Sequence, residues 1–415
     1  MKKFTNIQGV VDWRLCVGCG ACAYACPQGN IELQDLEREG LRPSLKAGRC
    51  QGCGTCLAVC PGLGVARQGQ EAPGSIRELF TGWGTVLEVL EGYAVDPELR
   101  YQGSSGGLIT ALALYGLEKG GLAGAQHIGA DPEQPWKNVP GVSQNRDQLL
   151  HRAGSRYAPA APCAGLGLLE SAPGSLAFIG KPCDLAGLSK TLNAYPDLAA
   201  KVGLTLGIFC AGTPSTQATV DLLKKMKVDP SGVHEVRYRG RGWPGSFRAR
   251  PAGGGRGAAE MPYEEAWSFL EKYRPYRCYL CPDATSELAD ISCGDPWYRE
   301  RQAGEAGVSL VLVRTEKGRD LVRGARQTGY VQLEPRNPRV LVESQKGILN
   351  KRGAIWGRLL TMKAFGLPTP GYEGFPLYLQ WKDLPWEEKV RSILGTGKRI
   401  VRRKYFLPQR LAMRG

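Results

Sequence analysis

Apolar and polar positions along this chain fall into repeated blocks of strand, loop and helix. Ser175-Leu-Ala-Phe-Ile is an apolar run of strand length, and Asp184 to about Asn193 follows it with helical spacing. Gly203–Phe209 is a second such run, with a helix predicted from Ser215 to Lys227. Val308–Arg314 and Lys317–Gln327 make a third pair. Earlier, Val86–Val95 reads as a strand or short helix leading to a turn at Asp96-Pro97. Beyond that turn Leu108, Ala111, Leu112 and Tyr115 line one helical face, with Ser104 or Ser105 as the N-cap. The repetition predicts an α/β domain with a mostly parallel sheet. Ligands of such sheets sit at the carboxyl ends of the strands, where the Gly180–Cys183 and Cys210–Pro214 loops fall.

Two stretches break the rhythm. Residues 67–84 are polar, are punctuated by Gly and Pro, and read as a linker. Pro385 to Leu407 carries apolar positions Val390, Ile393, Leu394, Ile400, Val401 and Tyr405, with Gly395 and Gly397 weakening any helix there. From Lys398 on come Lys398, Arg399, Arg402, Arg403, Lys404, Arg410 and Arg414, and no acids. A basic amphipathic end of this kind reads as a contact for an anionic membrane, a solvated tail or a docking arm.

Composition narrows the class. The net charge of +15 over 415 residues suits an acidic protein, an acidic coenzyme or an anionic membrane as partner. No recognised nucleic-acid module accompanies that charge, so no nucleic-acid partner is expected. No run of eighteen apolar residues occurs, so no membrane-spanning helix is expected. The three histidines, His127, His151 and His234, lie far apart, which argues against His-based catalytic or metal clusters. Met1-Lys-Lys-Phe runs into Asp12 and Cys16 without an apolar export segment. Fourteen cysteines in that setting predict a cytoplasmic, reducing location and metal binding.

The densest chemistry lies between Cys16 and Pro61. Two runs there each read C-x2-C-x2-C-x3-C-P, the bacterial ferredoxin spacing for [4Fe–4S] clusters. In such pairs the fourth cysteine of each run serves the other cluster. Cys16, Cys19, Cys22 and Cys60 are therefore assigned to one cluster, and Cys50, Cys53, Cys56 and Cys26 to the second. Gly18, Gly20, Gly52 and Gly54 let backbone N–H groups approach the sulfurs, and Pro27 and Pro61 turn the chain away. A structural zinc site takes four ligands in pairs, and a disulfide framework needs an oxidising compartment; neither fits.

Six cysteines remain: Cys163, Cys183, Cys210, Cys278, Cys281 and Cys293. Only Cys278-x2-Cys281 has ligand spacing, and Cys183 and Cys210 each follow a predicted strand. Spacing alone leaves them open as ligands or as small core residues. Gly180-Lys-Pro-Cys183, Gly207-Ile-Phe-Cys210-Ala-Gly-Thr-Pro, Cys278-x2-Cys281, Ala289-Asp-Ile-Ser and Gly294-Asp-Pro-Trp297 follow in order. With Ser104-Ser-Gly-Gly107 and Arg156-Tyr-Ala-Pro159 ahead of them, they resemble the beta subunits of coenzyme F420-reducing hydrogenases and dehydrogenases. The resemblance covers roughly residues 80–345. Relatives of that family include chlorophyll-pathway reductases and bacterial proteins encoded with polysaccharide-biosynthesis enzymes.

The resemblance implies a non-covalent FAD and a third [4Fe–4S] cluster beside it. Ser104, Ser105, Gly106 and Gly107 match the loop that approaches the flavin phosphates, and Lys181 and Pro182 join them as cofactor contacts. Cys183, Cys210, Cys278 and Cys281 match the cluster's cysteines, leaving Cys163 and Cys293 as spare or core thiols. Arg237, Arg239 and Arg241 alternate and would share a strand face as a solvated edge or an anion site. The expected layout is a ferredoxin-like α+β module over 1–72 and an α/β flavin-binding domain in two parts, 73–165 and 166–345. A basic extension over 346–415 follows. The first functional reading is a reductase passing electrons from ferredoxin, or another acidic carrier, through the clusters and FAD to a small molecule. The alternatives are a subunit that oxidises or reduces coenzyme F420 for a larger enzyme, and a non-enzymatic iron–sulfur sensor or scaffold. No residue stands out as a proton donor.

Overall fold

The computed structural model describes residues 4–46, 48–67, 69–252, 257–300 and 305–409. Its centre is an eight-stranded sheet. In chain order the strands are β1 (Glu88–Ala94), β2 (Gly124–Ala130), β3 (Asn138–Ser143), β4 (Leu176–Gly180), β5 (Val202–Ile208), β6 (Ile291–Gly294), β7 (Ser309–Val313) and β8 (Val331–Pro335). They lie in the order β8-β1-β7-β6-β5-β4-β2-β3. The run β2-β4-β5-β6 is parallel, and the flanking pairings are antiparallel. β1 also runs with the parallel set, so five of the eight strands point the same way. Both halves of the predicted flavin domain contribute strands, and β1 inserts between β7 and β8.

Alternation decides what each face buries. Val311 and Val313 of β7 join the core under the helices Leu108–Glu118 and Glu316–Gln327. Leu310 and Leu312 point the other way, onto Leu79, Trp83, Val86, Val89 and Leu341. A third cluster unites Phe178, Leu185 and Leu188 of the α/β domain with Cys19, Ala21, Ala25 and Val59 of the first seventy residues. The ferredoxin-like module is thus docked through a continuous apolar core. The approach is close at Gly20, where a Cβ would stand 2.7 Å from the backbone nitrogen of Ala164. A separate three-stranded antiparallel sheet, Val233–Arg237, Ser246–Pro251 and Ala259–Pro262, packs beneath the helices Thr216–Lys225 and Tyr263–Leu270.

Four local expectations change. The helix expected from Asp184 begins at Pro182, because proline fits a first helical position and the Lys181 N–H donates to Asp184 Oδ2 at 3.1 Å. Ser104 and Ser105 cap nothing: Gly107, at φ 71°, is the N-cap of Leu108–Glu118. Their hydroxyls are engaged elsewhere, Ser104 Oγ with the Ser155 N–H and Ser105 Oγ with Ser309 Oγ. Arg237, Arg239 and Arg241 do not share a face, because the strand ends at Arg237. Arg239 leaves it to pair with Asp295, and Arg241 pairs with Glu235.

The fourth change concerns the C-terminal extension, which is no loose tail. Residues Gly371–Glu373 add a parallel strand to Gly64–Ala66, and Gln409 N donates to Asp12 O at 2.7 Å. Lys346–Ala364 and Trp386–Arg402 are long helices packed on each other, and the second contains both Gly395 and Gly397. Each glycine costs about 1 kcal/mol of helix propensity, and tertiary packing overrides it. The helices approach so closely that a Cβ on Gly357 would stand 2.1 Å from Ser392 Oγ. Arg410 and Arg414 lie outside the described residues.

Candidate redox centre

The two ferredoxin loops are built alike. Gly20 (φ 88°) and Gly54 (φ 79°) start single-turn helices, Ala21–Tyr24 and Thr55–Ala58, that carry Cys22 and Cys56. Backbone N–H groups already point at sulfur: Gly18 N donates to Cys16 Sγ at 3.4 Å and Asn30 N to Cys26 Sγ at 3.3 Å. Burial separates the two sets. Cys16, Cys19, Cys22 and Cys60 are all buried, whereas in the second set Cys50 and Cys53 are exposed, Cys26 is partly so and only Cys56 is buried. Burial pushes the Cys60 thiol up to about 12, and nearby Cys16 and Cys19 add to it.

A cavity on the α/β domain gathers the second set. Cys183, Cys210, Cys278 and Cys281 all line it, together with Lys181, Pro182, Arg277 and Asp283. The sheet's polarity explains this. β4 and β5 end side by side, so the second residue of the helix after β4 is Cys183, and Cys210 follows β5. Cys278 and Cys281 come from the single-turn segment Tyr276–Leu280 and the residue after it. Cys16 and Gly18 of the ferredoxin loop form part of the same wall. Cys163 and Cys293 do not. Cys293 is buried in the sheet core with Leu206 and Val311, and Cys163 Sγ donates to Asp184 O.

This donor set fits a cluster. Burial raises the Cys183 thiol well above its ordinary value, and pushes Cys210 up to about 12 with help from Cys278 and Cys281. Iron would remove that cost by taking the thiolates as ligands. Gly212 N donates to Cys210 Sγ at 3.4 Å. Arg277 is buried on the same wall, and its Nη1 has no hydrogen-bond partner there. Among the described residues no three His, Cys, Asp or Glu side chains close to the spacing of one metal ion.

Arg277 also joins the modules. Its Nε donates to Leu15 O at 3.1 Å and its Nη2 to Pro61 O at 3.2 Å, flanking Cys16 and Cys60. Sequence reasoning missed this residue, although its place directly before Cys278 was a usable signal. Replacing it with Met leaves two buried carbonyls without donors, at about 1–3 kcal/mol. The expected result is a lower urea midpoint and faster loss of iron from the ferredoxin module to a chelator. Arg277→Met with wild-type values for both would show that the guanidinium joins nothing.

The predicted flavin contacts lie in two places. Lys181 and Pro182 are on the cysteine cavity, where Lys181 Nζ is held by Asp184 Oδ1 at 2.6 Å and Ala160 O at 3.2 Å. Ser104–Gly107 lies beyond the end of β1, four strand spacings or roughly 19 Å along the same sheet edge. No side chain caps the helix that starts there. The glycine at 106 answers first to packing: a Cβ would meet Gly92 O at 2.6 Å and Ser309 N at 2.9 Å.

Known proteins with these features supply the family. Residues 89–166 match the N-terminal part, and residues 174–339 the C-terminal part, of the family described as "Coenzyme F420 hydrogenase/dehydrogenase, beta subunit". Residues 15–62 match a 4Fe-4S dicluster domain. The coenzyme F420 hydrogenase subunit beta of Methanothermobacter thermautotrophicus is 26% identical over 300 residues, covering 69% of this chain and 99% of that protein. The coenzyme F420-dependent sulfite reductase of Methanocaldococcus jannaschii is 26% identical over 344 residues, 79% of this chain but only 49% of its own length. A chain of the F420-reducing [NiFe] hydrogenase complex from Methanosarcina barkeri shares the fold. Its TM-score is 0.53 at 23% identity, over 70% of this chain and 95% of that one. The dicluster domain makes this an iron–sulfur electron-transfer protein, and its relatives are oxidoreductases and their subunits. Behind that dicluster domain the two halves of one family follow in order, and the chain belongs to the coenzyme F420 hydrogenase/dehydrogenase beta subunit family.

Proposed function

We propose that this chain exchanges electrons between an external one-electron carrier or partner subunit and coenzyme F420. The sequence favoured a reductase acting on some other small molecule; the relatives named for coenzyme F420 favour the deazaflavin reading instead. The observation that carries it is the cavity shared by Cys183, Cys210, Cys278 and Cys281, with Cys16 of the ferredoxin module in its wall.

On this reading the four cysteines hold a third [4Fe–4S] cluster, and Ser104–Gly107 with the open helix start at Leu108 receives FAD phosphates. Bound clusters supply one-electron transfer, and a bound flavin converts it to two-electron chemistry. The chain's own residues set the route. Exposed Cys50 and Cys53 mark the outer end, and the buried set at Cys16 the inner one. Arg277 fixes the inner set against the third. The excess positive charge suits an acidic ferredoxin or an acidic neighbouring protein at the outer end.

The test is anaerobic. The purified chain, reduced by dithionite, is mixed with oxidised coenzyme F420 and the coenzyme's absorbance is followed. Bleaching of the coenzyme, with FAD near one per chain in the heat-released supernatant, is expected. Bound FAD with no reaction toward coenzyme F420, but turnover of another acceptor, would return the reductase reading. Neither flavin nor turnover would return the sensor or scaffold.

A further inference from the structure

The outward face of the helix Trp386–Arg402 divides lengthwise into two strips. At about 3.6 residues per turn, Trp386, Val390, Leu394 and Val401 fall along one side of that face. Arg391, Lys398 and Arg402 run beside them. The opposite side is the buried one: Ser392, Thr396 and Ile400 turn into the protein. Trp386 is 75% exposed, Leu394 67% and Val401 57%. Phe406 and Leu407 just past the helix, and Phe365 beside Gly397, are exposed too. A single exposed leucine needs no explanation, whereas a strip this long marks a contact surface.

Charge indicates what the contact is. From Lys389 to Gln409 there are seven Lys and Arg (389, 391, 398, 399, 402, 403 and 404) and no acid. The helix's two acids, Glu387 and Glu388, sit in its first turn, with exposed Glu387 between the two strips. Arg399 turns inward over the Tyr276 and Tyr279 rings. Arg391 is 73% exposed and pairs with Glu388 at 2.7 Å, a surface contact that lipid phosphate can exchange. A flush apolar strip edged by bases, with tryptophan at one end, matches a helix lying in a lipid headgroup layer. Among the described residues no helix is long and apolar enough to cross a membrane, so any such contact is peripheral.

We propose that this face docks the protein on an anionic lipid membrane. The apolar strip enters the boundary between headgroups and acyl chains, and Arg391, Lys398 and Arg402 pair with lipid phosphates. Docking bears on the redox centre, because the inner side of the same helix packs on the Cys278–Cys281 segment. Ile400 meets Leu280 there. The membrane would lie about one helix diameter, roughly 10 Å, from that segment. The inference is independent of which acceptor the chain uses.

The cluster-loaded, full-length protein is sedimented anaerobically with phosphatidylglycerol vesicles and, separately, with phosphatidylcholine vesicles. Pelleting with the anionic vesicles alone, weakening as salt rises, is expected. Leu394→Glu with Val401→Glu should abolish pelleting while iron content and far-UV circular dichroism stay unchanged, because both side chains are in solvent. Arg391→Gln, Lys398→Gln and Arg402→Gln together should lower partitioning about a hundredfold. No pelleting with phosphatidylglycerol, or pelleting that survives the double glutamate variant, overturns the proposal. Vesicle binding absent while the double variant breaks a complex with an acidic protein or a second copy would also overturn it, and make the face a protein interface.

Discussion

Cys210→Ser should lower the iron content of the anaerobically purified protein from about twelve to about eight per chain. The loss should come wholly from the α/β domain, leaving the electron paramagnetic resonance of the reduced ferredoxin clusters in place. On the proposed route coenzyme reduction should stop too, because the third cluster is the step proposed between the module and the flavin. Cys183→Ser, Cys278→Ser and Cys281→Ser should behave alike, since all four thiols line one cavity. Cys293→Ser and Cys163→Ser are the controls and should keep all the iron. Cys293 is buried in the sheet core away from the cavity, and a serine at 163 can still donate to Asp184 O. A Cys210→Ser protein that retains twelve iron would eliminate the third site. Loss of four iron from Cys293→Ser would mean that the ligand set had been drawn on the wrong strand.

Much of this centre was legible because its chemistry is local. The ferredoxin loops announce themselves by spacing, and the strands β4, β5 and β7 are continuous apolar runs that no other element explains. Cys183 and Cys210 could be placed at one sheet edge because parallel strands put their carboxyl ends together. What stayed hidden depends on partners distant in the chain. Nothing near Arg277 says that its guanidinium reaches Leu15 and Pro61. β1 was ambiguous in sequence because its neighbours in the sheet, β7 and β8, lie more than two hundred residues away. The C-terminal helix was discounted for Gly395 and Gly397, whose propensity cost is outweighed by the packing of that helix on Lys346–Ala364, closest at Gly357. The arginines at 237, 239 and 241 were grouped by alternation, which fails where a strand ends.

The largest stability effect expected is at Glu287, another residue with no local signature. Its carboxylate is fully buried between two guanidiniums, those of Arg67 and Arg352. Arg67 lies at the exit of the ferredoxin module, where its Nε also donates to Gly374 O at 2.8 Å. Arg352 belongs to the C-terminal helix Lys346–Ala364 and donates to Gly82 O at 2.6 Å. Glu287 follows the Cys278–Cys281 segment, so one carboxylate ties three distant stretches together. Glu287→Gln keeps the shape but strands two buried cations, which costs about 3–5 kcal/mol. A urea titration at pH 7 should show that loss as a shifted midpoint with little change of slope. The pH dependence supplies the sign. Burial alone would raise the Glu287 carboxyl, but Arg352, Arg67 and Arg314 outweigh it and hold the group below its ordinary value. The stability it contributes is therefore fully present above the unfolded value, about 4.3, and is lost only as pH falls through the lower folded value. The gap between wild type and Glu287→Gln should not narrow from pH 8 down to pH 5. It should widen toward pH 5, because Asp283, pushed up to about 6 by burial and by Glu287, gains its proton there in wild type and loses part of that push in the variant. A gap that already narrows between pH 8 and 6 would mean that Glu287 is not the ionised centre of the three-way tie.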